Sequence, residues 1–484
     1  MNHRRIIPFA FGTPHSYSRL FAPDSRAAAA ATIDRLECLA GSMQDKDVAE
    51  PIANGIEEIP AGYTYFGQFI DHDLTYDTSP LPLPGARTNP TQTRNFRRET
   101  LALEHLYGDG PGSRDSPLYT KDNASFALGI SDGKRRVIDV PLDRCGKALA
   151  ADPRNLENSL IRQVHAMFLQ LHNIAVENTS SRLSMRERFS EAQQRVRHQY
   201  QWLVRHDFLK RLCDPNIYDE IVCNADPRFD WGYHFTVPVE FAQAAFRFGH
   251  SMVRGRYRLG EGKRVRLHDL FGGKNTVGPI SEKHLIDWTG FLIPNAGKTA
   301  EFAMRINTSI TGALFEVPAY ALRAFVQVRT HDNLALPVRT MVRGAASRLV
   351  SGLRARHLLN EPEFLPSAQG PGAAAWADLA SCNLADEIPL WFFILLEAEV
   401  EGAGVRLGRV GSRIVAEVIE ASLWSSGDSF LRQYGRHWQP PLWPTPQGKP
   451  RRIGCLHDVA VVVGLAKPLD ITSPVSGAGD IGAR

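Results

Sequence analysis

Leu160-Ile161-Arg162-Gln163-Val164-His165-Ala166-Met167-Phe168-Leu169-Gln170-Leu171-His172-Asn173-Ile174 carries apolar side chains at Leu160, Val164, Met167, Phe168, Leu171 and Ile174. Those intervals of three and four make one stripe on a helix of 3.6 residues per turn. A second stripe runs through Val410, Ile414, Val415, Val418, Ile419 and Leu423, and a third through Phe241, Ala245, Phe248 and Met252. Strand-type alternation is scarce. The expected fold is mainly α with little β, built as one large helical domain.

The breaks between stripes are rich in Pro and Gly: Leu81 to Asn95, Leu365 to Ala375, Pro440 to Pro450, and the Gly-rich end Ser473 to Arg484. None separates two cores, and no internal repeat is present. The expected organisation is an N-terminal extension over 1–58 packing on the core, the main domain over 59–465, and a flexible tail over 466–484. Across 484 residues, 43% hydrophobic and 22% charged residues are ordinary for a soluble globular chain. A net charge of +4 with no Lys/Arg block gives no footprint for nucleic acid. The longest apolar run, Ile388 to Leu396, holds Pro389 and falls short of the ~20 residues that span a bilayer. The first ten residues lack the apolar stretch of a secretory signal, so a cytoplasmic location is expected. Six scattered cysteines form no CxxC pair, and reduced thiols are expected.

Three short segments carry chemistry. In Gly67-Gln68-Phe69-Ile70-Asp71-His72-Asp73, helical spacing puts Gln68, Asp71 and His72 on one face. That is either a solvated helix end or a polar pocket in which His72 moves protons. In Asp152-Pro153-Arg154-Asn155-Leu156-Glu157, Asp152 can cap a helix that starts at Pro153, with Arg154 and Glu157 one turn apart. In Phe246-Arg247-Phe248-Gly249-His250-Ser251-Met252, a histidine on an aromatic helix is ordinarily a core residue. Gly249 beside it lets a flat, bulky group approach the backbone.

Together these stretches resemble the animal-type haem peroxidases, in the family's order, starting from Ile59-Pro60-Ala61-Gly62-Tyr63-Thr64-Tyr65-Phe66. Leu106-Tyr107-Gly108, His172-Asn173 and the span from Glu397 to Glu417 add to the likeness, which runs from Ile59 to Leu423. The resemblance implies haem b, with His250 as the axial ligand to iron and His72 and Arg154 on the distal side. His72 would carry the peroxide proton, and Arg154 would stabilise the charge that develops as the O–O bond breaks. Gln68 would line the distal pocket, and Arg247 would sit near the propionates. Asp71 and Glu157 match the carboxylates that form esters with haem methyls. Asn158 stands where myeloperoxidase has a methionine, so a sulfonium link is not expected.

Two departures stand out. The family motif Arg-Asn-x-x-Arg-Gly is matched by Arg339-Thr340-Met341-Val342-Arg343-Gly344. Thr340 replaces the asparagine that meets the axial histidine, and its hydroxyl can accept that hydrogen bond only over a shorter reach. Asp73 matches one calcium ligand of the family, but the next aspartate falls at Ala102 and the following ligand at Glu104, so calcium is doubtful. The implied partners are hydrogen peroxide and a small electron donor such as a halide, thiocyanate or a phenol, oxidised through a ferryl intermediate. The rivals are a fatty-acid dioxygenase of the cyclooxygenase-related branch and a non-catalytic binding or adhesion relative. The first needs a tyrosine three residues before the axial histidine, where this chain has Arg247. The second need not keep His72, Arg154 and His250 together.

Overall fold

A computed structural model of the chain describes residues 5–9, 15–45, 59–83, 85–134, 136–231, 235–260, 264–272, 276–293, 299–317, 335–364 and 369–468. Ser473 to Arg484 lies outside them, as do 46–58 of the N-terminal extension. Among the described helices are α1 (Ile33–Met43), α2 (Gly62–Leu74), α3 (Ser159–Glu177), α4 (Met185–Leu203), α5 (Leu336–Ala346), α6 (Ala373–Ser381), α7 (Leu390–Glu401), α8 (Arg409–Ser425) and α9 (Leu456–Val462). Described strands form only two-stranded pairs, such as Arg256–Arg258 against Arg264–Arg266. The fold is mainly α, as expected.

Local sequence explains where the central helices begin. Asn158 caps α3, its side chain accepting from the amides of Leu160 and Ile161. Ser184 and Glu187 form a capping box at the start of α4. The Leu160 stripe is buried from Leu160 to Leu171 and half-buried at Ile174, and α3 packs against both α2 and α4. Between α2 and α3 the Phe168 ring stacks on Phe69 with centroids 4.9 Å apart, and on Phe66 at 6.1 Å. Helix α7 is apolar all round over Leu390 to Leu396 and is buried accordingly. Its polar end is tied to α8: Glu397 accepts from the amides of Val410 and Gly411 and pairs with Arg356 at 2.6 Å. Arg413, also buried, pairs with Glu361, Glu220 and Glu417.

The structure corrects several expectations. The stripe through Phe241 to Met252 is not one helix. A helix over Val239–Gln243 stops at Ala244, whose φ of −134° and ψ of −70° are not helical, and a 3-10 turn over Ala245–His250 follows. The loop expected over Leu365 to Ala375 ends where α6 begins at Ala373, and 365–368 lie outside the described residues. Within Pro440 to Pro450, Leu442–Trp443 forms a strand paired with Arg451–Arg452. Cys38 and Cys382 are joined by a disulfide between α1 and α6, so six reduced thiols was wrong. Their separation of 344 residues leaves no local spacing to read. Cys145, Cys213, Cys223 and Cys455 are free.

Candidate active site

A cavity of about 360 Å³ lies between α2, the 3-10 turn Ala245–His250 and α5. Gln68, Asp71, His72, Arg154, Glu157, Arg247, His250, Thr340 and Arg343 all line it. Residues separated by up to 275 positions in sequence are thus brought to one wall system, with 275 the difference between 343 and 68. Asp73 does not line it.

His72 is buried on α2, and its Nδ1 lies 2.8 Å from Asn155 Oδ1. Asn155 Nδ2 donates to the carbonyl of His105 at 3.3 Å and lies 3.0 Å from His165 Nδ1. A carbonyl can only accept, so the amide is oriented with Oδ1 toward His72. The His72 proton therefore sits on Nδ1, and Nε2 is the bare nitrogen. Burial, then the Arg154 cation, push the His72 pKa down to about 3, so the ring is neutral at physiological pH. Asn155 went unassigned in the sequence, because no spacing distinguishes an asparagine that orients a histidine from a turn residue.

Arg154 is held from several sides. Its Nε lies 3.1 Å from both Asp152 oxygens, Nη2 donates to Asp152 Oδ2 and to the carbonyl of His72, and Nη1 donates to the carbonyl of Thr75. The guanidinium also stacks over Tyr76 at 4.3 Å. It thereby clamps the C-terminal end of α2, and one Nη1 hydrogen is left over from these bonds. Asp152 caps the 3-10 turn Pro153–Leu156 as expected, accepting from the Arg154 amide at 2.9 Å. Burial opposes its ionisation, but Arg154, His72 and Arg97 outweigh burial and hold it well below the carboxylate range.

Asp71 accepts from Arg247 Nη1 at 3.3 Å and from Thr75 Oγ1 at 3.1 Å. Glu157 accepts from Gln68 Nε2, and burial raises its carboxyl to about 7. Arg343 pairs with Asp77 at 3.2 Å. His250 also lines the cavity; its buried Nδ1 has no hydrogen-bond partner among the described residues, and its ring meets Trp391 edge-on at 6.0 Å. Thr340 does not supply that partner. Its hydroxyl donates to the Leu336 carbonyl one turn back in α5, at 3.0 Å, the habit of a helical threonine.

Asp73 turns away from the cavity. It accepts from the amides of Leu103 and Glu104 and lies 3.0 Å from His105 Nδ1. Glu104 is engaged by Arg98. N–H donors thus face the carboxylate where a hard cation would need oxygens, and this set does not fit calcium. His172 is structural, bridging Tyr107 Oη and the Ala124 carbonyl.

A planar cofactor fits the cavity. His250 is half-buried, with a buried Nδ1 that has no hydrogen-bond partner among the described residues, so its ring could serve as an axial ligand, and a Cβ built on Gly249 would meet only open space. The model of the animal haem peroxidase family matches residues 131–328 of this chain. A peroxidase-like protein of Margaritifera margaritifera is 30% identical, covering 47% of this chain and 38% of that protein. Thyroid peroxidase of Rattus norvegicus is 28% identical, covering 38% of this chain and 23% of its own length. The chain thus spans well under half the length of both. Among solved structures, peroxidase A from Dictyostelium discoideum shares the fold, with a TM-score of 0.64 over 96% of this chain and 94% of that one at 14% identity. The fatty acid alpha-dioxygenase of Oryza sativa also shares it, with a TM-score of 0.64 over 93% and 81% at 12% identity.

Proposed function

We propose that the chain is a peroxidase that holds haem b on His250 and oxidises a small donor with hydrogen peroxide. The observation that carries this reading is His72, a buried neutral imidazole whose proton is committed to Asn155, lining the same cavity as His250, whose Nδ1 has no hydrogen-bond partner among the described residues. When bound, haem supplies the redox chemistry that takes up the oxidising equivalents of the peroxide. His72 Nε2 accepts the proton of the peroxide's inner oxygen and returns it to the departing oxygen. Arg154 fixes the end of α2 on which His72 sits, and its positive charge favours the negative charge that develops during cleavage. Asp71 and Glu157 are the candidates for ester bonds to the haem edge. Arg247 and Arg343 supply positive charge for the propionates.

The shared fold alone does not separate a peroxidase from a fatty-acid dioxygenase. Arg247, three residues before His250 and bonded to Asp71 and the Ala242 carbonyl, occupies the position where the dioxygenase reading needs a tyrosine. Absorption spectra of the haem-loaded protein with and without peroxide test the proposal. A Soret band that shifts on peroxide addition and returns on adding iodide, thiocyanate or guaiacol supports it. An unresponsive band refutes it.

A further inference from the structure

Tyr63 lines the cavity one turn before Gly67 on α2, and nothing in the reading above uses it. Its ring is 1% exposed, and its hydroxyl donates to Asp207 Oδ2 at 2.6 Å. Asp207 belongs to a π-helical turn, Val204–Phe208, at the end of α4. Such turns are rare and recur at functional sites, because the extra residue re-aims the side chains around it. Here Asp207 is aimed at Tyr63, and Phe208 lines the cavity. Asp207 also accepts from the Leu456 amide at 2.9 Å and pairs with Arg211 at 3.3 Å. The Arg211 guanidinium lies 4.4 Å over the Tyr63 ring, and its side chain is 34% exposed. A phenol in the cavity wall, a carboxylate on its proton and a cation reaching solvent therefore stand in line.

A phenylalanine would fill the same space but would leave the interior carboxylate of Asp207 with only the Leu456 amide and Arg211, where an ionised group is costly. We infer that Tyr63 and Asp207 form a proton-coupled redox site, through which the peroxide-oxidised haem draws one electron from the protein. The inference rests on the peroxidase reading. In this step the Tyr63 O–H bond breaks, one electron passes to the oxidised haem, and the proton passes to Asp207 Oδ2. Tyr63 is oxidised to a neutral phenoxyl radical and the haem is reduced by one electron. A reducing donor later returns the electron, and Asp207 returns the proton. Burial holds the Tyr63 hydroxyl well above the usual phenol range, so no phenolate forms near neutral pH and the electron cannot leave without the proton. Burial also raises Asp207, against the pull of Arg211, which makes it a better proton acceptor than an exposed aspartate. The site holds one oxidising equivalent on Tyr63 in the cavity wall.

The test is electron paramagnetic resonance on the haem-loaded protein, frozen after peroxide addition without donor, with the Soret band followed in parallel. Wild type grown on ring-deuterated tyrosine should give a narrowed organic radical signal, and spin-trap adducts should map to the peptide containing Tyr63. Tyr63→Phe should lose that signal while its Soret response persists. Asp207→Asn keeps a partner for the phenol but cannot take its proton, and should lose the signal too. A radical of unchanged yield and line shape in Tyr63→Phe overturns the inference, as does a wild-type Soret response with no tyrosine-dependent radical. A wild-type Soret band that ignores peroxide overturns the peroxidase reading itself, and this inference with it.

Discussion

Replacing Asn155 by alanine isolates what orients the candidate base. Three hydrogen-bonding contacts go with the side chain: His72 Nδ1 at 2.8 Å, the His105 carbonyl at 3.3 Å and His165 Nδ1 at 3.0 Å. At about 1 kcal/mol net for each, the fold should lose about 3 kcal/mol. The effect on reactivity has two parts. One hydrogen bond of about 1–1.5 kcal/mol biases the His72 tautomer roughly ten-fold, so losing it costs up to about ten-fold in the fraction with a bare Nε2. Loss of ring orientation then moves the rate toward the roughly 10²–10⁴-fold deficit of an enzyme without its base. Stopped-flow mixing of the haem-loaded variant with peroxide should therefore show slowing between about ten-fold and about a thousand-fold, at unchanged haem content. Asn155→Asp is the companion. Its carboxylate still accepts from Nδ1, so the tautomer holds, but its charge favours the imidazolium and raises the His72 pKa from about 3. The acid limb of its pH–rate profile should move upward, while the rate at neutral pH stays closer to wild type than that of Asn155→Ala. An Asn155→Ala protein that reacts with peroxide at the wild-type rate would refute the reasoning.

His250→Ala should abolish stable haem uptake, read from the ratio of Soret to protein absorbance; unchanged uptake and spectrum would move the axial ligand elsewhere. Mass spectrometry of peroxide-cycled protein should find haem on peptides containing Asp71 or Glu157, and Asp71→Asn with Glu157→Gln should release all haem on acid–organic extraction. Glu157 has a folded-state pKa raised to about 7, so the folded haem-free protein binds its proton more tightly than the unfolded chain does. Its contribution is most favourable below the ordinary carboxylate range and is lost as pH rises through that range to about 7. Melting temperatures of wild type relative to Glu157→Gln should accordingly fall between about pH 5 and pH 8, and a rise would reverse the assigned sign. Cys38→Ser should cost about 2–4 kcal/mol and make the melt insensitive to reductant, which should lower the wild-type transition.

Helix periodicity was readable wherever packing follows one continuous stripe, as in Leu160 to Ile174 and Val410 to Leu423. It failed at Ala244, where apolar spacing continues through a backbone that does not. The break puts Arg247 and His250 on a 3-10 turn, in which residues three apart eclipse one another, and both line the cavity. The cavity residues were readable because their types and order carry the family likeness. Their hydrogen-bond partners were not. Thr340 was expected to accept from His250, but its hydroxyl donates to its own helix at the Leu336 carbonyl, and His250 Nδ1 has no partner among the described residues. Asn155, Tyr63 and Asp207 are ordinary residues until the fold brings 155 to 72 and 207 to 63. Neither pairing leaves a trace in local spacing.

The bond between Cys38 and Cys382 has a topological side. Every residue lining the cavity except Tyr17 lies within the ring of chain that it closes. A protease cutting once in an exposed loop inside that ring makes two fragments that remain one molecule. Both still contribute to the cavity walls, with α2 on the N-terminal piece and α5 on the C-terminal one for any cut between them. Such a nick would be invisible on a gel run without reductant and would appear as two bands with it. Survival of the peroxide response after nicking, and its disappearance once reductant is added, would separate backbone continuity from the covalent closure that keeps the two walls facing each other.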